Sequence, residues 1–180
     1  MVPLRGAGRV LAGGDSAAGT ATAAHFTAVK TAKTVMNVPM QLSRVLILDS
    51  SPEQFITLEE RGGRRSFAIK IGTMEAVAID RRLRGETPPR PQTHELLENA
   101  IRALGGELER IVIHRLEAGT YFASLMIRQR GIAAGDAGEL VEVDARPSDA
   151  IALGVGLRTP IEVDETVLAE SADEIGRAHV

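Results

Sequence analysis

Apolar positions along this chain follow two rhythms, a period of two and a period near 3.6, and the switches between them mark out the elements. Leu42–Leu48, Phe55–Glu60 and Arg65–Ile71 alternate as strands do, with Arg61-Gly62-Gly63 supplying the hairpin turn between the last two. The rhythm then lengthens, and Thr73 is expected to cap a helix over residues 74–84 that buries Ala76, Ile79 and Leu83 and stops at Gly85. The segment TPPRPQ at 87–92 forbids its continuation. A second helix begins at Arg90 or Thr93, lines Leu97, Ile101 and Leu104 along one face and ends at Gly105-Gly106.

Residues 108–116 and 120–129 read as a hairpin around Ala118-Gly119, and Leu140–Asp144 as a short strand leading into Arg146 and Pro147. Pro147 suits the first position of a third helix, where its missing N–H costs nothing, and Gly156 and Leu157 close that helix. A strand over 158–163 and a short acidic stretch with Val167 and Leu168 follow. Hairpins mixed with helices predict an α+β fold, one compact domain with a mixed or antiparallel sheet and about three helices.

The two ends carry no such rhythm. Residues 1–35 are rich in Gly, Ala and Thr and read as disordered, with Met36 or Met40 as alternative starts of translation. They lack the apolar core of a secretory signal. The patterned domain is expected over 36–171, and EIGRAHV within the tail 172–180 reads as an artefact of the gene model, because a sequencing-adapter sequence can encode it.

Composition then removes whole classes of function. There is no Cys, so disulfides, thiol catalysis and Cys-ligated metals are excluded. No run approaches the roughly 18 apolar residues of a membrane span, which predicts a protein with no membrane partner, placed in the cytoplasm. Aromatic residues make up 3%, with no Trp and one Tyr, so stacking of bases on aromatic platforms is not an available mode of nucleic-acid binding. A nucleic-acid partner cannot be argued from the formal net charge of −3. Of the 21 basic residues only Lys30, Lys33 and Lys70 are lysines, and the arginine forks of the remainder suit phosphate.

Candidate chemistry gathers at two helix starts, RPQTHELL at 90–97 and VDARPSDAIALGV at 143–155. Each places Arg, Pro and a hydroxyl residue where backbone N–H groups are unpaired and attract anions. In the first, His94 is a proton carrier near neutral pH, while Arg90 and Thr93 can bind a phosphate oxygen. In the second, Asp144 and Asp149 bracket Arg146 and Ser148, so two carboxylates could hold Mg or Mn beside a phosphate gripped by Arg146 and Ser148. Glu75 reads as a partner of its own helix dipole, and Arg81, Arg82 and Arg84 as a solvated face. His114 reads as a half-buried sheet histidine. Neither the HExxH zinc spacing nor a GxSxG nucleophile elbow occurs.

The segments IGTMEAVAID at 71–80, RPQTHELL, VDARPSDAIALGV and the closing RTPIEVDETVLAES stand in the order and near the spacing of the bifunctional nuclease family, which the chain resembles over about residues 41–171. The resemblance implies an α+β fold, hydrolysis of phosphodiester bonds in DNA and RNA, and a homo-oligomer. It transfers no catalytic motif. The assignment from chemistry is therefore His94, Asp144 and Asp149 as catalytic groups, with Arg90, Thr93, Arg146 and Ser148 holding substrate and Asp144 and Asp149 any metal. The rival reading is a non-catalytic regulatory or assembly domain that binds a protein partner or a small phosphorylated ligand.

Overall fold

A computed structural model describes residues 36–49, 51–131 and 138–177. The expectations for residues 1–35 and for 178–180 lie outside the described residues. Seven strands and four helices follow in the order β1 (Asn37–Leu46), β2 (Glu53–Glu60), β3 (Ser66–Gly72), α1 (Thr73–Leu83), α2 (Thr93–Ala103), β4 (Gly106–Glu117), β5 (Thr120–Gln129), β6 (Leu140–Ala145), α3 (Pro147–Leu157), β7 (Ile161–Asp164) and α4 (Glu165–Arg177). The fold is α+β, as the mixed rhythm predicts. The acidic stretch after the last strand is a fourth helix, which continues past residue 171.

One sheet holds all seven strands in the order β3-β2-β1-β7-β4-β5-β6. Only β4 and β7 run parallel, with Ile111 opposite Ile161 and Ile113 opposite Val163, so the sheet is mixed. Turn chemistry explains the local pairings. Ala118 and Gly119 both take positive φ, 49° and 75°, as the tight two-residue connection between β4 and β5 requires.

The sheet is strongly curled. Four strands separate β3 from β5, which in a flat sheet would set them roughly 24 Å apart at about 4.8 Å per strand. Yet the rings of Phe67 on β3 and Tyr121 on β5 stack with centroids 5.4 Å apart. One hydrophobic cluster fills the hollow, drawing Met40, Ile56, Leu58, Ile111, Ile113 and Val163 from the strands, and Ala76, Ile79, Ile151, Leu153 and Val167 from the helices.

Several expected details change for physical reasons. The N-cap of α1 is Gly72, not Thr73, whose hydroxyl instead accepts a hydrogen bond from the buried Gln54 side chain. Leu83 stands half exposed while its neighbour Arg82 turns inward, so the arginine run of α1 is not a uniformly solvated face. In α2 none of the expected apolar line is fully buried: Ile101 packs partly on the core, and Leu97 and Leu104 are exposed.

Candidate functional site

The first turns of α1, α2 and α3 converge, and that convergence assembles the polar cluster. Arg146, the N-cap of α3, donates from Nε to Asp149 Oδ2 at 2.7 Å and from Nη2 to Oδ1 at 3.2 Å. Its Nη1 donates to Glu75 Oε1 of α1 at 3.0 Å. From α2, His94 brings Nε2 to 3.7 Å from Asp149 Oδ1, an ion-pair distance when the imidazole is protonated. The hydrogen bonds to Asp149, then that carboxylate's charge and Glu75, push the Arg146 pKa up from its ordinary value, so this guanidinium stays charged.

Three sequence features build this arrangement. Pro147 starts α3 at a position that needs no N–H, directing Arg146 and Asp149 to one side of the first turn. Gly72 leaves room for the Glu75 carboxylate, since a β-carbon there would stand 2.4 Å from Glu75 Oε2. Glu95 accepts the Gln92 backbone N–H at 3.0 Å, which makes Gln92 rather than Thr93 or Arg90 the cap of α2 and sets His94 in its first turn.

What fixes α2 to the body is a buried arginine. The Arg82 side chain is 5% exposed and donates to Glu95 Oε1 at 2.7 Å, Glu98 Oε2 at 2.8 Å and the Leu153 carbonyl at 3.3 Å. Arg81 adds a second bond to Glu95 at 2.6 Å. Burial raises the Glu95 pKa, but these hydrogen bonds outweigh it and hold the carboxyl at about 2. Gly156 is the socket: a β-carbon at this position would come within 2.2 Å of Arg82 Nη2. Gly154 similarly faces Ile111, so both helical glycines of α3 mark close approaches.

Of the residues expected from sequence, His94, Arg146 and Asp149 come together. Ser148 is buried beside them in the first turn of α3. Arg90 and Thr93 are exposed and form no side-chain hydrogen bond or ion pair with a described residue. Asp144 sits apart from the cluster. It is opposite Ser124 in the β5–β6 ladder and lies on the sheet face away from Val143 and Ala145, which pack on the core. Glu75, read from sequence as a dipole partner alone, is the residue missed. Its signal was its place in the first turn of a helix, the position His94 and Asp149 also hold.

Among the described residues no group of three or more His, Asp or Glu side chains could hold a metal ion. Asp149 and Glu75 are already engaged by Arg146, and Asp144 faces away, so the donors do not fit the expected Mg or Mn. Nor is any described helix long and apolar enough to cross a membrane.

A family profile for the bifunctional nuclease domain matches residues 56–175. The match covers well over half of the sequence, and the chain belongs to that family. An uncharacterized protein of Mycobacterium tuberculosis is 38% identical over 116 residues, 64% of this chain and 65% of its own length. Bifunctional nuclease 2 of rice (Oryza sativa subsp. japonica) is 28% identical over 122 residues, 67% of this chain and 36% of its own length. Bifunctional nuclease 1 of Arabidopsis thaliana is 27% identical over 118 residues, 65% of this chain and 35% of its own length. The chain thus spans just under two thirds of the mycobacterial relative and about a third of each plant one.

Proposed function

We propose that this chain is a nuclease that hydrolyses phosphodiester bonds of DNA and RNA at the meeting of the three helix N-termini. The observation that carries the reading is the approach of His94 to Asp149, 3.7 Å apart from helices more than fifty residues apart in sequence, with Arg146 bound to both oxygens of the same carboxylate. The family and the names of the plant relatives supply the reaction class.

Activity on DNA requires water rather than a ribose hydroxyl as the attacking group. His94 Nε2 faces Asp149 at 3.7 Å, just beyond hydrogen-bond distance, and neutral His94 with its proton on Nε2 has Nδ1 to take a proton from that water. Arg146 and the positive ends of the helices lie where negative charge grows on the phosphorus oxygens. No step here runs through a metal, and Mg or Mn dependence is a matter for titration. The non-catalytic alternative is favoured by one observation: Leu96 of α2 and Leu104 at its C-cap are exposed, a surface that a protein partner or a second copy could cover.

Cleavage of single- and double-stranded substrates by the purified chain tests the proposal. His94→Ala should lower the rate about 10²–10⁴-fold, the usual range for a general base. Chelator and added Mg or Mn in parallel reactions read out metal dependence. Full activity in both His94→Ala and Asp149→Asn would leave the cluster structural and the regulatory or assembly reading standing.

A further inference from the structure

Two concavities on the described surface use opposite ends of α3. The larger, about 730 Å³, lies at the C-terminal ends of α2 and α3 beside Arg102, Arg128 and Arg158. Helix C-termini direct partial negative charge into it, and Arg102 and Arg128 are already bound to Glu98 and Glu109. The smaller, about 450 Å³, lies against the first turn of α3. Ile69, Ile71, Tyr121 and Pro147 form its apolar side, and Lys70, Arg146 and Ser148 its polar side.

Three hydrogen-bond donors go unused at that first turn. Ser148 is 6% exposed and lines the pocket, yet its hydroxyl has no hydrogen-bond partner among the described residues. Arg146 makes no side-chain cap, Pro147 has no N–H to offer, and the N–H of Ala150 is the first to be taken, by the Arg146 carbonyl at 3.0 Å. The N–H groups of Ser148 and Asp149 are therefore free beside the free hydroxyl. An acceptor entering the pocket takes all three donors at once, in place of solvent.

We propose that this smaller pocket is a nucleotide subsite: the phosphate of a nucleoside monophosphate unit sits on Ser148 and the α3 N-terminus, and its nucleoside rests on the apolar side. The charges on the lining balance, Lys70 with Glu53 at 3.1 Å and Arg146 with Glu75 at 3.0 Å. Attraction of the anion therefore comes from the fixed donors and the helix dipole rather than from net charge. Asp149 lies outside the lining, and because Arg146 is shared between it and Glu75 one negative charge is left over nearby, which the fixed donors must outweigh. With no net positive field, the apolar contacts matter, and the volume lies within the roughly 300–1,000 Å³ typical of small-ligand pockets. The subsite rests on the nuclease reading for its biological role, since it would hold one nucleotide of the strand beside the His94–Asp149 pair.

Calorimetric and NMR titration of the full chain with thymidine 5′-monophosphate, thymidine and inorganic phosphate tests this without any cleavage. The nucleotide should bind more tightly than either half, with the largest shifts at the amides of Ser148 and Asp149. Ser148→Ala should weaken it about tenfold while leaving the melting temperature unchanged, because the hydroxyl bonds to nothing in the free protein. Ser148→Val, which puts a bulkier apolar group where the hydroxyl stood, should weaken it further. Nucleotide bound no more tightly than phosphate, shifts confined elsewhere, or unchanged binding by Ser148→Ala would each overturn the subsite. If Ser148→Ala binds normally while cleavage still depends on His94, the subsite alone fails. If Ser148→Ala loses the nucleotide while cleavage ignores His94, the subsite stands and the nuclease reading fails.

Discussion

Helices α2 and α3 open with similar sequence, an Arg-Pro pair and a hydroxyl residue, and both are eleven residues long, yet they are held by opposite means. α3 is a core element: Ala150, Ile151, Ala152 and Leu153 are fully buried. α2 buries no residue completely and is attached through Glu95 and Glu98 to the arginines of α1. Burial of apolar surface is non-directional, whereas a forked guanidinium fixes both distance and orientation. The half of the cluster on α3 is thus set by packing, and the half on α2 by an ionic clamp adjacent in sequence to His94.

Arg82→Ala should break this contrast most strongly. Removing one partner of a buried ion pair typically costs about 3–5 kcal/mol, and here it leaves Glu98 to the exposed Arg102 and Glu95 to Arg81 and the Gln92 N–H. The loss should concentrate on α2, so hydrogen exchange should speed at the amides of 93–103 well before the strands open. Gly156→Ala should act in the same direction by about 1–3 kcal/mol, because its new methyl collides with the guanidinium. Leu153→Ala, in contrast, should cost about 2–5 kcal/mol and lower global stability. Unchanged protection of α2 in Arg82→Ala would mean that Ile101 suffices to hold the helix and that the clamp is incidental.

Acid should separate the two helices by the same logic. Glu95 is held at about 2 against an ordinary value of 4.5, so its charged form is favoured in the folded state. That stability is fully present above about pH 4.5, declines as pH falls, and is gone once pH passes below 2. The shift corresponds to up to about 3 kcal/mol. Between pH 4.5 and 2, protection factors at α2, taken relative to intrinsic exchange at each pH, should fall ahead of those at α3, and Glu95→Gln should show the same loosening at neutral pH. Parallel loosening of both helices across this range would show that they form one cooperative unit.

These two modes of attachment also mark the limit of what the sequence makes legible. The middle strands, the Ala118-Gly119 turn and the Pro147 helix start rest on local chemistry and are found in place, whereas the first strand runs Asn37–Leu46 rather than 42–48 and the last Ile161–Asp164 rather than 158–163. His94, Arg146 and Asp149 are legible as candidates because both helix starts carry the same residue types, but their meeting is a matter of tertiary packing. Glu75 was hidden because a first-turn acid has a sufficient local explanation in the dipole. Arg82 was hidden because a run of three arginines on a helix reads as solvated, and only tertiary packing against Gly156 shows which one turns inward. Asp144 misled because sequence proximity to Arg146 says nothing about strand faces: one step along β6 reverses the direction of the side chain.

The smallest effect is the most discriminating for the outer face of α2. Leu104 follows the last residue of that helix and is 85% exposed, so Leu104→Ser removes almost no buried surface. In an isolated chain, it should change stability by less than about 0.5 kcal/mol, as exposed substitutions usually do. A core leucine at this point of the helical rhythm would instead cost several times as much, which is how the periodicity alone ranks it with Ile101. Chemical denaturation at two protein concentrations decides the matter. A loss above 1 kcal/mol that grows with protein concentration would mean that Leu104 is covered by a second copy, and that α2 has an apolar attachment after all, made between chains rather than within one.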